Sequence, residues 1–205
     1  DKIAYASVAA TALLGAHSAG WLKSPTTWLR TALAAFFFSA LMQAWHMPIG
    51  PSELHMVGAM PIYLLFGFVP TLFGFGIGLL LQGLVFEPQD LAHLSVNFLS
   101  LAVPLVVLHH GMGRKLSTLT LANVCKLDAV YYTGVTLMVG FWLSISNTAT
   151  PVADWALFAS SYISLVLIEP VLTVVLTLGA RHLKNSRWAA LCLDEVTLQR
   201  VGAAA

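Results

Sequence analysis

Seven apolar runs, broken only by proline, glycine and charge, constrain this chain more than any other feature. They lie at Ile3–Trp21, Leu29–Trp45, Leu54–Val69, Leu72–Phe86, Leu94–Leu108, Ala129–Ile145 and Trp155–Ala180. A helix of about 20 apolar residues crosses a bilayer, and in hydrocarbon the backbone must close its hydrogen bonds within the helix. Only 9% of the 205 residues are charged, against about 25% in a soluble domain. The expectation is therefore an all-α, polytopic membrane bundle of seven transmembrane helices. It forms one integral-membrane domain over residues 1–205, with a cytoplasmic tail from residue 183 onward. The third and fourth runs are short and separated by Val69-Pro70-Thr71, which predicts a tight helical hairpin broken at the proline.

Charge sets the orientation. Lys23, Arg30, Arg114, Lys115, Lys126, Arg181, Lys184, Arg187 and Arg200 fall on one side of this arrangement, and Lys2 alone on the other. The positive-inside rule makes the populated side cytoplasmic, so the N-terminus is outside and the C-terminus inside. His46, His55, His93, Glu53, Glu87, Asp90 and Asp154 then lie on the outer face. A net charge of +1 supplies no bulk attraction to nucleic acid. Cys125 and Cys192 form no CxxC pair and read as plain thiols. No secretory cleavage region follows Lys2.

Three places carry chemistry. The stretch His46-Met-Pro-Ile-Gly-Pro-Ser-Glu-Leu-His55 sets two imidazoles and a carboxylate between apolar runs. Imidazole suits nickel, cobalt, copper and zinc. The histidines lack i,i+4 spacing, so they converge only if the loop folds back; otherwise they are interfacial side chains bonded to water. Met47 and Met56 beside them hint at a soft metal or simply pack.

A second outer loop runs from Gln82 through Glu87, Asp90 and His93 to Asn97. It reads either as capping of two helices or as a supporting ring beneath the first loop. Glu169-Pro170 places an acid at membrane depth. There it needs a partner, among which Thr173, Tyr131, Tyr132 and Asn97 are candidates, and it acts as a relay or as a helix lock.

Gly74 and Gly78 form a GxxxG pair, and Ala6/Ala10 with Ala12/Ala16 repeat small-xxx-small spacing, both suited to close helix approach. His109-His110 reads as a solvated loop start or a contact for a cytosolic partner. No P-loop, HExxH, GxSxG or recognisable nucleophile–base pair is present, so the chain reads as a non-enzyme.

These residues resemble the substrate-capture (S) components of cobalt/nickel energy-coupling-factor transporters, the CbiM/NikM-type permeases. The resemblance runs from about Trp45 to Pro104 and returns at Ile168-Glu-Pro-Val-Leu-Thr173. Its elements stand in order: His46-Met-Pro48, Ser52-Glu53-Leu54-His55, Gln82-Gly-Leu-Val-Phe86, Asn97, and Glu169 to Thr173.

The resemblance implies a seven-span permease with an outer N-terminus in a bacterial or archaeal inner membrane. It implies capture of Co(II) or Ni(II), with zinc behind them, and no prosthetic group. The partners implied are a transmembrane scaffold subunit and cytosolic ATPase subunits. In the family an N-terminal Met-His and a loop histidine chelate the metal, and that loop histidine maps onto His55. His46 is then a ligand or a supporting group, Glu53, Gln82, His93 and Asn97 are supporting groups, and Glu169 serves helix locking or coupling.

The chain departs from the pattern in two places. Asp1-Lys2-Ile3 aligns with the start of the first span, leaving the Met-His without a counterpart. Either such a lead precedes Asp1, the preferred expectation because Asp1 is not a natural start, or the chelate is lost. In the second case the chain is an accessory subunit of a larger membrane complex that keeps the fold without carrying metal. The phenylalanine-rich second run and the Glu87-Pro-Gln-Asp90 loop also differ from many relatives.

Overall fold

The computed structural model describes residues 2–18, 20, 24–49, 52–146, 151–183, 186–194 and 199. Among them the chain is mostly helical, in the order α1 (Lys2–Ser18), α2 (Pro25–Ala44), β1 (His46–Ile49), β2 (Ser52–His55), α3 (Ala59–Phe66) and α4 (Phe68–Val85). A 3-10 turn (Pro88–His93), α5 (Leu94–Gly111), a second turn (Gly113–Lys115), α6 (Leu121–Ile145), α7 (Val152–His182) and α8 (Arg187–Cys192) follow. Among the described residues, three stretches are long and apolar enough to cross a membrane: Phe68–Val85, Pro88–Lys115 around α5, and Val152–His182.

Helix α2 opens on Ser24-Pro25, with proline at the first helical position where its missing N–H costs nothing. It pairs most extensively with α4, and two of the four α4 glycines make that possible. A Cβ built on Gly74 would lie 2.6 Å from Ala34 Cβ, and one on Gly78 would run into the Phe38 ring. The expected GxxxG pair thus packs inside the bundle, whereas Ala6, Ala10, Ala12 and Ala16 of α1 are exposed.

The third run corrects the expectation of a single helix over Leu54–Val69. Its first part is strand β2, and α3 is only eight residues long, about 12 Å at 1.5 Å per residue. That is far short of the ~30 Å hydrocarbon core. The break before α4 falls at Gly67, not Pro70: Gly67 takes φ +90°, which favours glycine. Pro70 instead sits in the first turn of α4, where a proline removes no internal hydrogen bond.

The sixth helix starts at Leu121 rather than Ala129, because the Thr120 side chain accepts the Asn123 N–H at 3.2 Å and caps it there. That extension brings Asp128 inside the helix and fully buries it.

At the end of the bundle opposite the hairpin, α8 with Leu193 and Asp194 folds under the helices. Arg30 Nε and Nη2 donate to the Leu191 and Ala190 carbonyls at 3.2 and 3.0 Å. The Asp194 N–H donates to Leu65 O at 2.7 Å, beside the Gly67 break. His109 lies at this end too, stacked on Phe68 with centroids 4.0 Å apart and bonded through Nδ1 to the Tyr63 hydroxyl at 2.9 Å. It is therefore built into the packing rather than merely solvated.

Candidate metal-capture site

The His46–His55 stretch is a β-hairpin rather than an irregular loop. Its strands pair antiparallel with His46 opposite His55 and Pro48 opposite Glu53. Strand side chains alternate faces with period two, so Glu53 and His55 share one face and buried Leu54 points the other way into the core. The two imidazoles stack with centroids 5.9 Å apart. The fold-back that convergence required is present, and Met56 N–H to Trp45 O at 3.0 Å closes its root.

His55 holds the key polarity. Its side chain is only 15% exposed, and Nε2 lies 3.2 Å from Glu53 Oε2. A neutral imidazole that donates from Nε2 carries its free lone pair on Nδ1. That Nδ1 is buried with no hydrogen-bond partner among the described residues. A buried acceptor left open asks for an occupant.

A cavity of about 570 Å³ fills the space in front of this face. Glu53, His55, Glu87, Asp90, His93 and Asn97 line its polar side, and Phe158 and Tyr162 are among its apolar walls. Burial raises the Glu87 carboxyl above its ordinary range, helped by the negative charge of Glu53 and Asp90 and opposed by His55. A wall that crowds carboxylates is one that favours a cation.

Gln82 stands outside the cavity lining; its Oε1 accepts the Ser39 hydroxyl at 3.0 Å and ties α4 to α2. His46 is exposed and also outside the lining. His93 faces a second cavity too, which it shares with Ile3, Ala4 and Ser7 of α1. The start of α1 therefore lies at the hairpin end of the molecule. Among the described residues, no three His, Cys, Asp or Glu side chains gather as a complete metal cluster.

Glu169 is fully buried deeper in the bundle. Its Oε1 accepts the Met60 N–H at 3.0 Å, the Gly58 and Ala59 amides also face it, and Oε2 accepts the Tyr132 hydroxyl. Of the candidate partners, Tyr132 bonds the carboxylate, Thr173 bonds the Glu169 carbonyl at 2.8 Å, and Tyr131 turns to Leu101 O. Sequence reasoning misses the α3 amides. It also misses Asp128, whose two carboxylate oxygens are buried without a partner among the described residues.

Long apolar helices around a polar-walled cavity at one end mark a membrane protein. The chain belongs to the CbiM family, the cobalt uptake substrate-specific transmembrane region, whose sequence model matches residues 2–186. This is a family of transporter components, not of enzymes. No curated protein and no solved structure matches the chain significantly.

Proposed function

We propose that the chain is the substrate-capture subunit of an energy-coupling-factor transporter that takes up Co(II) or Ni(II), with His55 as the protein's own ligand. The unpartnered Nδ1 of a largely buried His55 carries this reading. Glu53 orients the imidazole from the opposite nitrogen, the arrangement usual for metal-bound histidine. Glu87, Asp90, His93 and Asn97 draw the hydrated ion into the cavity and take over its shed waters. Gln82 and Glu169 act on the site only through the helices they hold.

One donor leaves the ion's shell incomplete, and the N-terminal Met-His chelate implied by the family resemblance would supply the rest. The start of α1 beside His93 favours that route. In this reading the N-terminus and hairpin face outward and the basic end faces the cytoplasm. A transmembrane scaffold subunit and cytosolic ATPases then drive release across a bacterial or archaeal inner membrane.

The lack of a three-donor cluster among the described residues favours the rival reading, an accessory subunit that keeps the fold without carrying metal. Cobalt uptake by cells making the chain with its partner subunits decides between them. A His55→Ala variant loses uptake if the site is correct; uptake at the unsubstituted level removes it.

A further inference from the structure

Between His55 and α3 lie only Met56, Val57 and Gly58, and this connection has no slack. Met56 N–H is bonded to Trp45 O, and Val57 is buried at the cavity wall. Gly58 holds φ +62°, and a Cβ there would run into the Leu41 side chain. Where α3 begins therefore decides where the His55 ring stands.

The start of α3 is itself an unsolved end. Its first N–H groups have no intrahelical acceptor, Gly58 offers no capping side chain, and the region is buried away from water. The acceptor comes from α7: the Glu169 carboxylate, 109 residues away in sequence from Met60. A carboxylate is the strongest acceptor available for such amides, and it also suits the positive end of the helix dipole. A second path leads from the same carboxylate to the cavity. Tyr132 bonds its other oxygen and packs at 5.1 Å on Tyr162, which lines the cavity wall.

We propose that Glu169 is a positioning residue for the metal: by holding the first amides of α3, it sets the place of the His55 ring at the cavity. This rests on the reading of His55 as ligand and deepens it. A helix movement that shifts α7 against α3 then changes the grip on the ion without any contact to it. Asp128 provides the contrast, since it is a buried acid beside Glu169 that makes no hydrogen bond among the described residues.

The test uses the full-length chain in lipid nanodiscs, titrated with Co(II) and followed by calorimetry and by the ligand-field absorption of the bound ion. Glu169→Gln is expected to weaken binding about tenfold, the lower end for groups that orient a metal ligand, and to move the ligand-field band. Asp128→Asn is expected to leave both unchanged. If Glu169→Gln lowers thermal stability but keeps affinity and band, Glu169 only holds the fold and the proposal is overturned.

The proposal also falls if Asp128→Asn shifts the band as much, because buried charge and not amide capping is then responsible. If Glu169→Gln does not fold, Tyr132→Phe removes one bond to the same carboxylate. A smaller shift in the same direction supports the proposal, and an unmoved band overturns it. His55→Ala separates the two readings. Unchanged binding there removes the ligand assignment, whereas abolished binding with a silent Glu169→Gln removes only the positioning role.

Discussion

The two ends of α3 follow opposite rules. At the hairpin end, His55 Nδ1 is left open and the Glu53, Glu87 and Asp90 carboxylates crowd one cavity wall. At the far end, Leu65 O takes the Asp194 N–H, and Arg30 is committed to the Ala190 and Leu191 carbonyls with Asp194 at 3.9 Å. Open buried polar groups cost free energy unless an occupant offsets it. They persist where a cation can arrive. Closed groups cannot respond to an ion, and so they do the holding. In the proposed reading capture belongs to the hairpin end, while cohesion belongs to the far end and to the Glu169 hold on the start of this eight-residue helix.

Substitutions at each end put that division at risk, and the largest effect is expected at His55. His55→Ala should lower Co(II) affinity by roughly 100-fold or more, beyond the loss typical of supporting groups, as read by calorimetry. An unchanged affinity would erase the contrast between the ends. Glu53→Gln keeps a hydrogen-bond acceptor for Nε2 but removes its charge, and should cost about tenfold in affinity. An effect as large as that of His55→Ala would make Glu53 a ligand in its own right.

At the far end, Arg30→Ala should lower thermal stability by about 1 kcal/mol, the order of a charged hydrogen bond at a partly exposed site, and leave Co(II) affinity alone. A fall in affinity there would show that the ends are not independent.

The smallest effect concerns pH. Glu87 keeps its proton to a pH above the ordinary 4.5, so across that window the folded chain binds more protons than the unfolded one. This group's contribution to stability therefore falls as pH rises through the window. Glu87→Gln should flatten that slope in thermal unfolding measured across a pH series; parallel slopes in variant and parent would remove Glu87 from the account.

Much of this division is legible in the sequence. Apolar runs announce the long helices because bilayer thickness sets their length, and Gly74 and Gly78 announce a close helix contact because only small residues permit one. His55 is set ahead of His46 by the family resemblance alone, because the stretch itself treats the two histidines alike.

Other parts are hidden for physical reasons. Met-Pro-Ile and Glu-Leu-His are too short to show strand alternation against a helical background, so a hairpin reads as a loop. Asp128 stands just before the apolar run that begins at Ala129, and its burial depends on where Thr120 caps α6. The α3 amides held by Glu169 are backbone groups, and backbone groups have no letter in a sequence. Pro70 is a louder break than Gly67 in the sequence, although positive φ decides the matter.

The hairpin's pairing carries one last consequence, which concerns parity. His55 and Glu53 face the cavity, and Leu54 faces the core, only because each strand counts in twos. A slip of pairing by one residue would turn Leu54 toward the cavity and drive an imidazole and a carboxylate into the apolar interior. A slip by two would leave the polar side facing outward but bring other residues opposite one another. The short connection between Ile49 and Ser52 therefore acts as an odd-or-even selector: its length decides whether the molecule offers nitrogen or hydrocarbon to whatever enters.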